Sequence, residues 1–524
     1  MKKCIVFIAL FFFIFVFSMN YILAQEKDSV RYLKIKPVKQ DISIALRDMK
    51  PCTPLSYEPK VWNEKEKERL YPNYRTAKPR GPDRYRQKRK GTLKPVNINF
   101  LTIDGIPQLP GCGAPPDCNG AAGLNHYVQI VNSAFKVYDK QGVPVLGPVY
   151  TNTIWQGLPG GDDLGPDPVI LWDDQAKRWF VTQMGAGGYF LLMAVSVTDD
   201  PTGQWYRYSW SWPDLPDYPK FSIWRDGYYC SLQCGSWDLG VFNRDQILSG
   251  GGVDGWLVDD PYLKESGGLC PIDNDGKWAP AGSPGLFITL NDDAWFQWAP
   301  VLNYQDELWL FEMKVTWGPS GSISFHRTLR LPVGDFDTNF GPFRDNITQK
   351  GTAQKLDAIP MVIMFRGQYR NFDTYQSIVC CHTVDVDHSN HAGIRWYELR
   401  KTTGNWYVYQ QGTYAPDGHS RFMGSIAMNK YGDIALGYSV SSSSKYPSIA
   451  YTGRRKSDPL GMMTISEKYL WLGQCSQTTF NRWGDYSCMS VDPANDVNFW
   501  FTTEYSDGPD KPWRTHIGSF VISQ

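Results

Sequence analysis

Three arginines occupy comparable positions in the second half of the chain and have the chemistry to bind a carboxylate. Arg370 and Arg482 each begin an Arg-x-x-Asp unit that ends at Asp373 and Asp485, and Arg421 opens the corresponding place between them. A guanidinium group binds a carboxylate through two parallel hydrogen bonds. If these segments enter one mouth of the fold, the arginines predict a binding site for an acidic ligand. Alternatively, they tie neighbouring elements together through backbone carbonyls.

A second group of candidate ligands combines two acids on a strand with two imidazoles on the turn that follows. These residues are Asp385, Asp387, His388 and His391. Carboxylate oxygens and imidazole nitrogens are common metal ligands in proteins, so a structural divalent cation is the cofactor that this group predicts. The same stretch is also typical of an exposed hairpin loop that binds nothing.

A repeated strand-turn-strand unit would position these residues. Its last copy runs from residues 489–491 through the turn 492–496 to residues 497–503, with apolar and small residues before the Asp, Pro and Asn of the turn and aromatic and β-branched residues after them. That pattern is typical of a hairpin. Related units begin near His126, Asp167, Asp217, Cys270, Asp357, Arg421 and Asp485. Their spacing predicts an all-β fold, a seven-bladed β-propeller; a two-sheet sandwich needs fewer strands than the chain supplies.

The composition agrees with many short strands joined by tight turns. The chain has 21 Trp, 30 Tyr, 48 Gly and 36 Pro among its 524 residues, which argues against a helical protein. Lys and Arg balance Asp and Glu at 53 each, so the net charge gives no reason to expect nucleic acid as a partner. Phosphate-cradling Gly-Lys-Ser/Thr loops, His-Glu-x-x-His helices and serine elbows do not occur in the sequence.

Residues 1–24 predict a cleaved secretory signal peptide. Met1-Lys2-Lys3 precedes a short apolar run, and the small residue Ala24 ends the segment. An uncleaved membrane anchor is the alternative, although the apolar core is short for one. The mature protein is therefore expected to be secreted or held at the cell surface, without a transmembrane segment.

Residues 25–95 are expected to form a polar, mobile arm ahead of a β-propeller at residues 96–524. Between Tyr74 and Lys94, nine Lys and Arg residues accompany the single acid Asp83. Such a segment buries too little apolar surface to offset its conformational entropy. It is either a basic tether for an anionic envelope component or polysaccharide, or a solvated linker.

Ten cysteines remain once Cys4 is removed with the signal peptide, an even number for an oxidising compartment. Disulfides are therefore expected, and Cys112 and Cys118 are the best placed to close a loop rich in Gly and Pro. Cys230 and Cys234 could pair or bind zinc, but no second pair at metal-site spacing follows them.

Several segments carry a resemblance to known proteins: residues 369–372, 382–386, 392–400, 410–417, 423–428, 435–441 and 482–487. They are similar to a family of secreted bacterial proteins described as sialidase-like, or BNR-type, propellers. The resemblance extends from about Asp167 to the C-terminus and is most specific in the last third of the chain. It implies the propeller fold and no established activity.

Sialidase-type chemistry requires more than an arginine cluster. It also needs a tyrosine nucleophile activated by a glutamate, and a carboxylic acid that donates a proton. The candidates for these catalytic roles are Glu504, Tyr505, Tyr375 and Asp485, and no spacing singles one of them out. The Asp-box pattern Ser-x-Asp-x-Gly-x-Thr-Trp is present only as a stretched relative that begins at Ser490.

Two functional hypotheses follow from these observations. The first is an exported, non-catalytic propeller that serves as a surface, adhesion or glycan-binding module, and the missing catalytic signature favours it. The alternative is a carbohydrate-active enzyme, a sialidase-like glycoside hydrolase or another acidic-glycan enzyme, with an arginine-lined central cleft. The partner expected in either case is an acidic glycan or a cell-envelope component, and the many Trp and Tyr residues could stack on sugar rings.

Overall fold

The computed structural model of the protein describes residues 29–55, 81–261, 263, 268–293, 305–342, 344–508 and 513–522. Almost all regular structure in these residues is β-strand, which confirms the predicted all-β class. No helix in the described part of the chain is long and apolar enough to cross a membrane. The predicted signal peptide at residues 1–24 lies outside the described residues, as do residues 56–80 of the predicted arm.

Four N-terminal strands join sheets that later parts of the chain form. They are β1 (Arg31–Ile35), β2 (Lys39–Ile42), β3 (Arg86–Gln87) and β4 (Val96–Pro107), and a 3-10 turn (Leu46–Asp48) follows β2. β1 pairs with residues 255–259, β2 with residues 206–209 and β3 with residues 413–414. The structure thus differs from the predicted mobile arm, because the described parts of residues 25–95 include strands held by sheet hydrogen bonds.

The first three groups of later strands are antiparallel meanders, named here sheets A, B and C. Sheet A contains β5 (Asn119–Ala122), β6 (His126–Val131), β7 (Ala134–Asp139) and β8 (Pro144–Tyr150), followed by α1 (Asn152–Trp155). Sheet B contains β9 (Val169–Asp173), β10 (Arg178–Met184), β11 (Phe190–Ser196) and β12 (Trp205–Ser211). Sheet C contains β13 (Lys220–Ile223), β14 (Gly227–Ser231), β15 (Leu239–Asn243), α2 (Arg244–Ser249) and β16 (Gly255–Asp259).

The next two meanders, sheets D and E, are joined edge to edge. Sheet D contains β17 (Cys270–Asp275), β18 (Gly285–Asn291), β19 (Glu307–Thr316) and β20 (Ser322–Pro332). Sheet E contains β21 (Gly367–Asn371), β22 (Gln376–Asp385), β23 (Ala392–Lys401) and β24 (Tyr407–Tyr414). Parallel pairing of β17 with β21 links them into one nine-stranded sheet that ends on β3.

The last two meanders, sheets F and G, complete the chain. Sheet F contains β25 (Ser420–Met428), β26 (Ile434–Ser442), β27 (Lys445–Arg454) and β28 (Ile465–Trp471). Sheet G contains β29 (Cys488–Val491), β30 (Phe499–Tyr505) and β31 (Arg514–Val521), and its fourth strand is the N-terminal β4. Sheet G therefore combines three strands from the C-terminal end of the chain with one strand from its N-terminal part.

The first strands of sheets A to G contact one another in chain order, and β29 of sheet G also contacts β5 of sheet A. We call the N-terminal ends of these strands their entry ends and the C-terminal ends their exit ends. The predicted repeats at Asp167, Asp217, Cys270, Asp357, Arg421 and Asp485 fall at or before the first strands of sheets B to G. His126 instead begins β6, the second strand of sheet A.

First strands such as β25 and β29 are buried on both faces, whereas the outer strand β20 is mostly exposed and buries only Phe325 and Leu331. Aromatic side chains fill the space between sheets. The rings of Tyr451 in sheet F and Phe520 in sheet G, for example, stack with centroids 3.6 Å apart. The high aromatic content is therefore largely accounted for by packing.

The expected disulfides are not formed, because all ten cysteines in the described residues are free thiols. Cys112 and Cys118 are both buried, and burial raises the pKa of Cys112 to about 11. The Cys234 thiol donates to the carbonyl of Ser236. Buried neutral thiols behave as small apolar groups, so these cysteines can pack in the core without forming disulfides. The even number of cysteines was therefore a wrong guide to pairing.

Candidate functional site

A cleft opens where the exit ends of several first strands meet, and it encloses about 580 Å³ including open solvent. We call it the exit cleft. It is lined by residues 120–122 and 170–172, Asp174, Asp275, Gly276, Arg366, Arg370, Cys488, Ser490, Val491, Pro493 and Asp496. The backbone brings these side chains together because the short first strands converge and their following turns carry the charged residues.

Arg366 forms the inner wall of the exit cleft with two aspartates of β17. Its guanidinium donates to Asp273 at 2.6 Å and to Asp275 at 2.8 Å, and only 5% of its surface is exposed. Asp273 also accepts the backbone N–H of Ile223. Burial raises the pKa of Asp273 above its ordinary value, with a further contribution from Asp275, while Arg366 opposes the shift. The arginine thus pairs with both crowded carboxylates and offsets part of the cost of burying them.

Arg370 and Asp496 form the second charged pair of the cleft. Both terminal nitrogens of Arg370 donate to the carboxylate, one of them at 3.1 Å. Gly276 adopts a positive φ of 67° beside this pair, and a Cβ atom there would lie 3.5 Å from Arg370 Nη2. Burial raises the pKa of Asp496 to about 6, with contributions from neighbouring acids including Asp275, whereas Arg370 lowers it. Asp496 can therefore gain or lose a proton near neutral pH.

Three buried donor groups of the exit-cleft residues have no hydrogen-bond partner among the described residues. They are the hydroxyl of Ser490 and the Nε–H groups of Arg366 and Arg370. Ser490 is 7% exposed and Arg370 is 6% exposed. A buried polar group without a partner costs about 1–3 kcal/mol. A ligand or water with acceptor oxygens would satisfy these groups.

An aromatic residue borders the charged part of the cleft. Trp172 is half-buried, and its indole N–H lies 3.4 Å from Asp174 Oδ1. The edge of Trp179 packs against it, with ring centroids 4.9 Å apart. Taken together, the cleft offers carboxylate acceptors, guanidinium donors, a hydroxyl and an aromatic ring. Its two arginines are already paired with carboxylates, so it carries no surplus of positive charge.

A different acidic group lies at the entry ends. Oxygens of Asp117, Asp167 and Asp485, which precede β5, β9 and β29, all lie within 4.8 Å of one another, and the three residues are buried. Arg482 pairs with Asp485, and Glu504 at the end of β30 is buried beside them. Burial and the neighbouring Asp167 raise the pKa of Asp117, and burial also raises the pKa of Glu504. We call these five residues the entry cluster.

The structure does not bring the three predicted arginines together. Arg370 lies at the exit end of β21 in the exit cleft, whereas Arg482 lies before β29 in the entry cluster. Arg421 is fully buried in sheet F and pairs with Asp417 and Glu467. Each guanidinium has at least one carboxylate partner, so its buried charge is paired within the fold.

The predicted catalytic residues are also distributed over separate places. Glu504 and Asp485 belong to the entry cluster. Tyr505 follows Glu504 on the same strand, so the two side chains point to opposite faces, and its ring packs on Trp471 with centroids 4.6 Å apart. Tyr375 stacks on Phe372 after the end of β21. A tyrosine activated by Glu504 is therefore not assembled among these residues.

Of the predicted metal ligands, Asp385 ends β22 and the other three lie on the loop between β22 and β23, and all four have protein partners. Asp385 accepts the backbone N–H groups of Asp387 and Asn390. His388 contacts Asp337 at 2.8 Å, and His391 contacts Asp387 at 2.9 Å. The groups of acidic residues close enough to share a metal ion in the described part of the chain do not include these four.

Two cations of the predicted basic tether are used inside the fold. Arg86 donates to Asp387 at 3.1 Å, and Lys90 lies 2.8 Å from Glu467, whose carboxylate also accepts from Arg421. These ion pairs fasten the segment around β3 to sheets E and F. They leave fewer charges for docking to an anionic surface than the sequence suggests.

The sequence interpretation missed Arg366, Asp275 and Asp496 as site residues. Asp275 ends a first strand and Asp496 ends the turn after one, so the repeated strand-turn unit marks their place. Arg366 immediately precedes β21, so it lies at the entry end of that strand. Charged residues recur at the exit ends of first strands, a signal that finds Asp275 and Asp496, whereas the predicted arginine site rests on the entry ends.

No family model matches the sequence, and a search of curated proteins gave no match. Among solved structures, the chain is similar to a protein of unknown function from Dyadobacter fermentans, with 11% identity, coverage of 83% of this chain and 99% of that one, and a TM-score of 0.32. It is also similar to a PL25 ulvan lyase bound to -[GlcA(1-4)Rha3S]-, with 11% identity, coverage of 83% and 94%, and a TM-score of 0.38. The lectin SapL1 in complex with alpha methyl fucoside matches with 10% identity, coverage of 68% and 97%, and a TM-score of 0.29. At these values the similarities carry no argument about the function of this chain.

Proposed function

We propose that the protein is an exported, seven-bladed β-propeller that binds a carbohydrate in its exit cleft as a non-catalytic module. Sheets A to G would be the blades, and the contact between β29 and β5 would close their ring. The pairing of β31 with the N-terminal β4 supports such closure, because it joins the two halves of the chain in one sheet. The sialidase-like resemblance enters this proposal for the fold only, and export rests on residues 1–24.

The observation that carries the binding proposal is the set of buried donors without a partner. The Ser490 hydroxyl and the Nε–H groups of Arg366 and Arg370 belong to residues that line one open cleft. Native proteins rarely leave such groups unsatisfied, and exceptions call for an explanation such as a bound ligand or ordered water. A ligand rich in oxygen atoms meets that requirement.

The charge of the cleft indicates which ligand it would take. Asp174, Asp275 and Asp496 outnumber Arg366 and Arg370 there, and both arginines are paired. An acidic sugar would meet this excess of carboxylates, so a neutral sugar fits better than the acidic glycan predicted from the sequence. Sugar hydroxyls can donate to the carboxylates and accept from the arginines, and an apolar sugar face can pack on Trp172.

A second candidate function, glycoside hydrolysis, has one observation in its favour. The pKa of Asp496 is raised to about 6, which suits a carboxylic acid that donates a proton near neutral pH. Asp275, which accepts a hydrogen bond from Arg366, would be the second carboxylate. In this alternative, the same cleft cleaves the sugar that it binds.

Binding is tested by screening the full mature chain against an array of neutral and acidic glycans, followed by calorimetric titration of each hit. We expect neutral glycans to bind and Trp172→Ala to weaken binding by about tenfold, which corresponds to about 1.4 kcal/mol. The matched control is Asp245→Asn, which removes a carboxylate whose side chain is 89% exposed and should leave affinity unchanged. Binding of acidic glycans only, or equal affinity in both variants, would contradict the proposal.

Hydrolysis is tested on the glycans that bind. A binding module releases no reducing ends at any pH. An enzyme would release them with a rate that falls as pH rises through about 6, the pKa of Asp496, because the proton donor is lost. Asp496→Asn would then abolish the rate and leave a folded protein that still melts cooperatively.

A further inference from the structure

The entry cluster concentrates more carboxyl groups than its cations neutralise. Asp117, Asp167, Asp485 and Glu504 are all buried, and Arg482 pairs with Asp485. Lys220 is a second cation near the cluster. Its Nζ lies 3.3 Å from the ring centroid of Tyr218 and 3.9 Å from that of Tyr486, the residue after Asp485. When all four acids are ionised, two negative charges remain after these two cations are counted. A buried uncompensated charge is strongly unfavourable.

The three aspartates are held with their oxygens facing one another. Asp117 accepts the side-chain amide of Asn132 and the backbone N–H of Asp485, the latter at 2.6 Å. Asp167 accepts the backbone N–H of Tyr218 at 2.9 Å. Each carboxylate oxygen keeps a further lone pair after one such bond. Backbone donors thus fix the carboxylates in place without occupying all of their acceptor capacity.

Glu504 provides an independent indication that the cluster binds something. It is 2% exposed, and its Oε1 atom has no hydrogen-bond partner among the described residues. That atom lies 3.4 Å from the position a Cβ would take on Gly484, the residue directly before Asp485. A buried carboxylate oxygen without a donor among the described residues therefore lies beside the backbone that carries Asp485, at the edge of the aspartate group.

We propose that Asp117, Asp167 and Asp485 bind a divalent cation of the type that prefers oxygen ligands, with Ca²⁺ as the best fit, and that Glu504 supports the site. Carboxylate and water oxygens are the ligands that Ca²⁺ takes in proteins. One divalent ion also balances the two negative charges that remain when all four acids are ionised. The sequence pointed instead to the loop that contains Asp385 and His388, so this site lies at a different place.

The position of the site gives the cation a structural role. Asp117 precedes the first strand of sheet A, Asp167 that of sheet B, and Asp485 that of sheet G. Sheets A and G are the first and last meanders in the chain, and they meet where β5 contacts β29. A cation at this point would fasten the junction between the two, so its removal should weaken the whole fold.

The test uses the full mature chain, stripped with EDTA and dialysed at pH 7.5. Ca²⁺, Mg²⁺ or Mn²⁺ is added, and the thermal midpoint and the bound metal per chain are measured. We expect Ca²⁺ to raise the midpoint by several degrees, with one additional equivalent bound relative to the double variant Asp117→Asn/Asp167→Asn. Sensitised Tb³⁺ luminescence should appear in the wild-type chain, because Tyr218 and Tyr486 lie beside the site, and Ca²⁺ should displace it.

Matched controls separate this site from other acidic groups. Asp292, Asp293 and Asp306 form the other group of buried acids close enough to share a metal in the described residues, so Asp293→Asn should keep the Ca²⁺ response. If that variant loses the response and the double variant keeps it, the assignment is overturned. Absence of any Ca²⁺ binding to the stripped wild-type chain overturns the proposal even if the double variant does not fold.

Discussion

The exit cleft and the entry cluster lie at opposite ends of the same first strands and treat buried carboxylates in different ways. In the exit cleft, Arg366 and Arg370 each pair with aspartates from other strands or turns, and the charges border an open space. In the entry cluster, Asp117 and Asp167 crowd together in the buried interior. The exit cleft is open and its charged side chains are paired, as in a binding site. The entry cluster is buried and has more acids than cations, as in a structural metal site.

The difference shows that carboxyl chemistry depends on partners and access more than on residue type. Asp496 and Glu504 both have raised pKa values, and burial is the main cause for each. Of the two, only Asp496 accepts two hydrogen bonds from one arginine, Arg370, and lines the open exit cleft. Glu504 is buried and has an oxygen without a partner among the described residues, so a proton or a metal ion would satisfy it.

The largest effect is expected from Arg366→Met in the exit cleft. This change leaves Asp273 and Asp275 without their shared cation, and breaking a buried ion pair costs about 3–5 kcal/mol. Urea unfolding at pH 7.5 measures the loss in the free energy of unfolding. Adding Asp273→Asn to the variant should restore part of it. A loss below about 1 kcal/mol would show that the arginine does not hold these carboxylates together.

An intermediate effect is expected from Glu504→Gln in the entry cluster, visible as a change in pH dependence. Because burial raises the pKa of Glu504, the folded chain binds more protons than the unfolded chain above the ordinary glutamate pKa. Stability contributed by this group is therefore present at low pH and lost as pH rises toward the folded pKa, by at most about 1.4 kcal/mol per pH unit.

Urea unfolding between pH 5 and 8 in EDTA measures this slope. The Gln variant should lose less stability than the wild type as pH rises, because glutamine does not ionise. The exposed-site variant Asp245→Asn should keep the wild-type slope. Equal slopes in all three chains would mean that Glu504 is not held in a proton-retaining environment.

The smallest effect is expected at the rim beyond the exit cleft, from Lys277→Gln. Lys277 pairs with Asp373, and the side chains of the two are 59% and 69% exposed. Exposed ion pairs contribute about 0–1 kcal/mol, so stability should change by less than about 0.5 kcal/mol and glycan affinity should not change. A tenfold loss of affinity in titration would extend the binding site to this rim.

The sequence predicted the strands well, because their signals are local. Aromatic and β-branched runs interrupted by Asp, Asn, Gly and Pro mark hairpins wherever they occur, and the repeat at residues 489–503 matches β29 and β30. The Arg482–Asp485 ion pair could also be predicted from the sequence, since the two residues are three positions apart. Distances of this kind follow from the chain itself.

The identity of charged partners was decided by the tertiary structure. Arg370 was matched in sequence with Asp373, yet it pairs with Asp496, while Asp373 pairs with Lys277. Asp117 accepts a hydrogen bond from Asp485 across 368 positions of sequence. No spacing rule connects such residues, because their meeting depends on how the sheets are arranged around the first strands.

By itself, then, the sequence determined the all-β class and the places where strands begin and turn, since these follow from side-chain shape and backbone preference over a few residues. It also listed the arginines and acids available for chemistry. Only the tertiary structure decided which of them meet, which are buried and which have an unsatisfied atom. Burial and the neighbouring charges set a carboxylate's pKa and its need for a partner, and both depend on segments that are distant in the chain.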